Sequence, residues 1–319
     1  MHQKIVKIYR VGEKTAEVLK EAVKNSGLKG KNTIFVKPNM SHPEYISGVV
    51  TSPLLIKELV GFLRDYNNKV IVGESNGFNY SCRSAFKKTG IEKAVKKAGG
   101  FVINLSEDKI VRVKCQNGHS TVQELFLPKT VLDADAIVDM ALMKTHEFTM
   151  YSGAIKNLFG CVPSNRRIYL HPFLSEVFYR LYTIIKPQLT IMDARVAIEG
   201  NGPTKGTPVK MDLMLTSNCA LSMDLIASKI MGLNLEEIKY LSYIARKSNL
   251  KQSEIEIQGL KVFEVARNFQ RPKIDLPVKA QMLIYKHEFL TKALFCSLDF
   301  VKILQKVTIA YRGRPIATS

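Results

Sequence analysis

Between residues 144 and 171 the sequence gathers two of its six histidines and four cationic side chains. Lys144-Thr145-His146 is followed by Ser152-Gly153-Ala154-Ile155-Lys156-Asn157-Leu158-Phe159-Gly160, then by Arg166-Arg167 and His171. Imidazole exchanges protons near neutral pH or ligates a metal. A lysine close to other cations loses proton affinity, which turns its amine into a base or nucleophile. Gly153 and Gly160 bracket Lys156 and imply backbone held close to something. The bland alternative is a solvated basic stretch with one structural histidine.

Other clusters add to this one. Lys37-Pro38-Asn39 sets a cation and an amide on either side of a rigid ring, a grip for a carboxylate or phosphate oxygen. Gly73-Glu74-Ser75-Asn76-Gly77 brings backbone close to a ligand, with Glu74 as base or hydroxyl acceptor. An ordinary turn fits each of these segments as well. Asp193 and Glu199 are possible additional carboxylates. Glu199 opens a loop rich in Gly and Pro that lacks the order of a phosphate-binding loop. Asp224 suits either a site or the start of a helix.

Elements to carry these residues are legible as short β-rich runs alternating with helix-length segments, the rhythm of βαβ units. Strands are expected at 4–9, 32–36, 69–72, 100–104, 109–114, 136–140 and 189–192, with a hairpin through Gln116-Asn117-Gly118. Helices are expected at 13–26, 52–66, 91–98, 173–186, 220–231 and 235–247. Thr51-Ser52-Pro53 is a good helix start. The fold class is α/β: a mainly parallel, Rossmann-like sheet with helices on both faces, in two lobes, plus a C-terminal helical appendage. The expected divisions are 1–135, 136–260 and a basic extension 261–319. Ligands of open parallel sheets bind outside the carboxyl ends of strands, and four expected strands run into Lys37, Glu74, Lys144 and Asp193.

The chain of 319 residues carries 47 Lys and Arg against 28 Asp and Glu, a net charge of +19. Its 46% apolar content is that of a globular protein. Five widely spaced cysteines with no C-x-x-C pair exclude a disulfide framework and an in-chain Cys-ligated iron–sulfur cluster. With no secretory signal or long apolar run, a cytoplasmic location is expected. From Lys261 onward the chain has 11 Lys and Arg and 4 Asp and Glu. This tail is a candidate surface for a membrane or protein partner, or a helix packed on the core with a solvated basic face.

Val36-Lys37-Pro38-Asn39, Thr51-Ser52-Pro53, Gly73-Glu74-Ser75, Lys144-Thr145-His146, Lys156-Asn157-Leu158-Phe159-Gly160, His171, Asp193, Glu199-Gly200-Asn201-Gly202-Pro203 and Asp224 together resemble the domain of unknown function family 362. That group is often described as iron–sulfur-associated, and many members carry a ferredoxin-like module after this domain. Here the cysteine-poor tail stands in that place, so an external electron-transfer protein is the partner that the resemblance implies. His146, the stretch Ser152 to Lys156, and His171 are also similar in spacing to the nickel-pincer lactate racemase family. That resemblance implies a shared scaffold, with His146 and His171 as proton or metal partners and Lys156 as a cofactor or substrate anchor.

The expected function is a small-molecule enzyme, oxidoreductase-like or racemase/isomerase-like, acting on an organic anion by redox or C–H proton-transfer chemistry in the inter-lobe crevice. The candidate catalytic residues are His146, Lys156, His171 and Glu74. Lys37, Asn39, Ser75, Lys144, Thr145, Asn157 and Arg167 are candidate substrate contacts; a metal, if used, falls to His146 and His171. The alternatives are a nucleic-acid-binding protein, suggested by the charge but by no nucleic-acid motif, and a metal- or iron–sulfur-associated accessory protein without its own catalysis.

Overall fold

A computed structural model of the chain describes residues 4–12, 14–67, 69–115, 122–295 and 306. Its strands are β1 (Ile5–Arg10), β2 (Thr33–Lys37), β3 (Lys69–Glu74), β4 (Phe101–Asn104), β5 (Ile110–Lys114), β6 (Glu124–Pro128), β7 (Ala136–His146), β8 (Met150–Ser152), β9 (Leu189–Glu199), β10 (Thr207–Ser217) and β11 (Glu256–Gly259). Nine of them form one sheet in the order β11-β1-β10-β9-β7-β2-β3-β4, with β8 paired to β7; β5 and β6 form a separate hairpin. β4, β3, β2, β7 and β9 are mutually parallel, and β10 is antiparallel to both its neighbours. The fold is therefore α/β with a mixed, mostly parallel sheet.

Alternation along the strands divides the core. Ile34 and Val36 join the cluster beneath helices Thr15–Asn25, Pro53–Arg64 and Ile91–Lys97, whereas Phe35 joins the one beneath Leu174–Ile185, Ala220–Ile230 and Lys239–Lys247. The helix at 53–64 starts as its sequence dictates: Pro53 occupies the first turn and the Ser52 hydroxyl accepts from the Leu55 N–H at 3.5 Å. Its buried stripe is Leu55, Ile56, Leu59, Val60 and Leu63. The helix at 174–185 stops at Lys186, whose φ is +44°, just before Pro187.

Two strands run much further than their apolar cores suggest. β7 continues six residues past Met140 and is buried throughout, so Lys144, Thr145 and His146 sit on a strand and not in a loop behind it. β9 likewise carries Asp193 within its length and ends at Glu199. Each extension is held by an antiparallel partner that the local sequence does not announce: β8 for β7, and β10 for β9. β10 has an irregularity between Lys210 and Leu213, with Asp212 at φ +54°, which hides its alternation.

The expected boundary at 135/136 falls between β6 and β7, and β7 pairs with β2 in the same sheet. β5 and β6 pair on either side of the expected hairpin, whose turn residues Gln116-Asn117-Gly118 lie outside the described residues. Beyond Gly259 the chain stays stitched to the core: the Arg267 and Phe269 N–H groups donate to the Ile230 and Met231 carbonyls at 2.8 and 3.0 Å. Helices Leu276–Lys286 and Glu288–Phe295 follow, so the described part of the C-terminal region is helical. Among the described residues no helix is long and apolar enough to cross a membrane.

Candidate functional site

β2 and β3 end side by side, which sets Lys37 next to Glu74. The Lys37 ammonium donates to Glu74 Oε2 at 2.5 Å and to the Pro38 carbonyl at 2.6 Å, and both side chains are buried. Glu74 Oε1 accepts from the Ser75 N–H at 2.9 Å. A Cβ on Gly160 would lie 2.4 Å from Glu74 Oε1 and 2.8 Å from Lys37 Nζ. Only glycine lets the turn after Lys156 close over this ion pair.

One strand along, a hydrogen-bond network joins five side chains. Lys144 Nζ donates to Asn39 Oδ1 (2.8 Å), the Ser41 hydroxyl (3.0 Å) and the Val49 carbonyl (3.0 Å). Asn39 Nδ2 donates to Asn157 Oδ1 at 3.1 Å, and Asn157 Nδ2 to Asp139 Oδ1 at 2.6 Å. Burial, helped by the charges of Lys156 and Lys37, holds the Lys144 amine well below its ordinary range. Burial likewise pushes the Asp139 carboxyl well above the usual carboxylate range, against the Asn157 hydrogen bond and the Lys37 charge. Its Oδ2 has no hydrogen-bond partner among the described residues.

Lys156 stands on the short helix Ala154–Asn157. The buried Asp224 carboxylate anchors that helix by accepting from the N–H groups of Ala154 (2.7 Å) and Ile155 (2.9 Å) and from the Tyr151 hydroxyl (2.9 Å). Burial raises the Asp224 pKa to about 7, opposed by these bonds. A Cβ on Gly153 would lie 2.0 Å from the Tyr151 hydroxyl oxygen, so both bracketing glycines are close approaches. Lys156 itself makes no hydrogen bond or ion pair with any described residue. Burial, and then the nearby Arg167 charge, lower its pKa to about 8.

These groups line a polar chamber of about 110 Å³, with Asn39, Glu74, Ser75, Lys144, Lys156, Asn157 and Arg167 on its wall. It shares Ser41, Lys156, Phe159, Arg167 and Pro203 with a larger chamber of about 390 Å³. His146 and His171 line the larger one, together with Phe78, Phe148, Phe178 and Tyr285. The Arg167 guanidinium donates to the Asn76 carbonyl, and its other N–H groups have no acceptor among the described residues. His171 Nδ1 lies 3.0 Å from the Arg167 carbonyl and 3.2 Å from that of Ile168, so Nδ1 carries the proton and Nε2 the lone pair. Burial lowers its pKa to about 4, so the ring is neutral. His146 Nδ1 accepts from the Phe148 N–H at 3.1 Å, which puts its proton on Nε2. Among the described residues no three His, Cys, Asp or Glu side chains converge as a metal-ligand set.

Three expected site residues lie elsewhere. The buried Thr145 hydroxyl donates to the Gly200 carbonyl at 2.8 Å and fixes the following loop. Asp193 pairs with Arg195 through contacts of 3.0 Å. Glu199 Oε2 accepts from the Gln270 N–H at 3.0 Å and so tethers the C-terminal segment. Asp139, Ser41 and Tyr285 belong to the site and escaped sequence reading. Of these only Asp139 left a signal, a lone acid inside the apolar run 136–140.

The family model described as "Domain of unknown function (DUF362)" matches residues 34–229, more than half of the chain. The chain belongs to that family. Every wall residue of the polar chamber lies inside the matched segment, whereas Gln281 and Tyr285 of the larger chamber lie beyond it. The chain is 26% identical over 222 residues to a thylakoid-associated protein of Synechocystis, a match spanning 63% of this chain and 65% of that protein. Among solved structures, the lactate racemase apoprotein of Thermoanaerobacterium thermosaccharolyticum gives a TM-score of 0.45 at 16% identity, over 72% of this chain and 58% of that one. A Thermotoga maritima protein gives 0.43 at 16%, over 75% and 59%.

Proposed function

We propose that this member of the DUF362 family is a small-molecule enzyme acting on an organic anion by redox or C–H proton-transfer chemistry, and that proton transfer is its reaction. One observation carries the reading: Lys156, unpartnered and with a pKa of about 8, shares a chamber with an Arg167 guanidinium whose donors are mostly unused. Every other buried charge in that chamber is committed to a neighbour. Arg167 holds the carboxylate or phosphate of the ligand, since its planar donors match two oxygens at once. A neutral Lys156 amine then takes the proton from the carbon beside the anionic group, leaving an ammonium and a carbanion whose electron pair spreads onto oxygen. The same proton returning to carbon restores the amine. A lysine tuned close to the working pH is suited to both directions.

The lone pair of His171 Nε2 supplies an acceptor in the neighbouring chamber, where it serves the far side of the ligand. The test is solvent exchange: the protein is incubated in D2O with small carboxylates and loss of the adjacent C–H signal is followed by NMR. Lys156→Arg, which keeps the charge but cannot give up its proton, is expected to abolish exchange while the carboxylates still bind. Exchange at the wild-type rate in that variant would overturn the proposal.

A further inference from the structure

Outside the polar chamber the walls change character, and the change continues past the first large cavity. The 390 Å³ chamber adjoins a third space of about 570 Å³, and the two share Glu147, Phe148, Thr149, His171, Leu174 and Tyr285 as their partition. The third space adds Phe173, Tyr240, Tyr243, Ile274 and Met282. Tyr285 is central to the partition: its ring stacks on His171 at 4.3 Å with an interplanar angle of 25°. The roof over both spaces is the helix Leu276–Lys286, which contributes Gln281 to one, Met282 to the other and Tyr285 to both.

We infer that the ligand is an amphipathic anion, with its charged head at Lys156 and Arg167 and an aliphatic or aromatic chain running beneath the C-terminal helix toward Met282. This rests on the anion-binding reading above and names the substrate class for the same site. The polar chamber holds little more than a carboxylate or phosphate group, whereas the spaces beyond it exceed the needs of a short acid several-fold. Ring faces and apolar side chains make up most of their lining, the surroundings that reward burial of hydrocarbon, with Glu147, Glu176, Glu237, Lys239 and Lys286 at the wall of the third space. A two- or three-carbon acid would leave those rings facing water-filled space.

The experiment is a chain-length series, butanoate, octanoate and dodecanoate, titrated calorimetrically into the full-length protein and two variants. In the wild type, affinity is expected to rise about threefold to fourfold per added methylene, the value for hydrocarbon leaving water. Met282→Glu puts a charge in the third space and is expected to weaken dodecanoate at least tenfold relative to butanoate. Thermal melting checks that this half-buried position leaves the fold intact. Equal affinity along the series, or equal losses for all three acids in Met282→Glu, would overturn the amphipathic ligand while leaving the anion site standing. Arg167→Met separates the two ideas: uniform weakening of all three acids supports the head-group site. If Arg167→Met changes none of them, the anion reading fails first and takes this inference with it.

Discussion

The polar chamber and the aromatic chamber beside it share Lys156, Phe159 and Arg167, yet they are held together by different means. The first is built on the ends of β2, β3 and β7, and its charges satisfy one another: Lys37 with Glu74, and Lys144 with Asn39, Ser41 and a carbonyl. The second rests on ring contacts and on a helix that reaches it from beyond the sheet. In the polar chamber Lys37 and Lys144 therefore maintain the structure, and the proposed function assigns the chemistry to Lys156, which makes no hydrogen bond or ion pair with a described residue. Cationic residues in a cleft are not equivalent, and the hydrogen bonds each already makes tell them apart.

The largest expected effect tests that division. Lys156→Met is predicted to lower turnover by about two to four orders of magnitude, the range for losing a positioned base, with no loss of thermal stability. A large stability loss would show that Lys156 serves the structure too. In wild type, kcat/KM is expected to rise about tenfold per pH unit and level near pH 8, because the amine must shed its proton to act.

Lys37→Met inverts the pattern. It strands a buried Glu74 carboxylate and is expected to cost about 3–5 kcal/mol of stability, read by chemical denaturation. A cost within about 0.5 kcal/mol would place the pair among ordinary surface contacts.

A smaller effect belongs to the aromatic side. His171 has its folded-state pKa lowered to about 4 from 6.5, so between those values the unfolded chain binds the proton first. Its contribution to stability is whole above pH 6.5 and is lost as pH falls toward 4. His171→Gln is predicted to flatten that limb of the stability–pH curve. Tyr285→Ala, which removes one ring stack, is expected to cost about 0.5–1.5 kcal/mol beyond its lost area and to leave the polar chamber unchanged.

Much of the polar chamber was legible because its residues sit where a parallel sheet delivers them. Lys37, Glu74 and Lys144 follow from where the parallel strands run out, whereas Lys156, Asn157 and Arg167 were marked by the dense basic and glycine-bearing stretch 144–171; the fold brings all six together from segments more than a hundred residues apart. Thr145, Asp193 and Glu199 were misplaced for one reason: local pattern shows where an apolar run stops but not where antiparallel pairing carries the strand onward. β10 hid behind its irregularity, and without it β9 reads as a short strand followed by a loop. The aromatic chamber was illegible for a different reason. Tyr285 meets His171 across more than a hundred residues of chain, and nothing around either residue encodes the meeting.

The roof has a consequence for how the chain is made. Synthesis proceeds from the N-terminus at about 5–20 residues per second, and helix Leu276–Lys286 begins about sixty residues after the end of β10. For several seconds the sheet and the polar chamber can assemble while Phe148, Phe178 and their neighbours lie uncovered. An aromatic mouth open during that interval invites chaperones or a second nascent chain, and a loaded ligand would shield it. The arrival of helix Leu276–Lys286 is then the step that turns a sticky intermediate into a finished cavity.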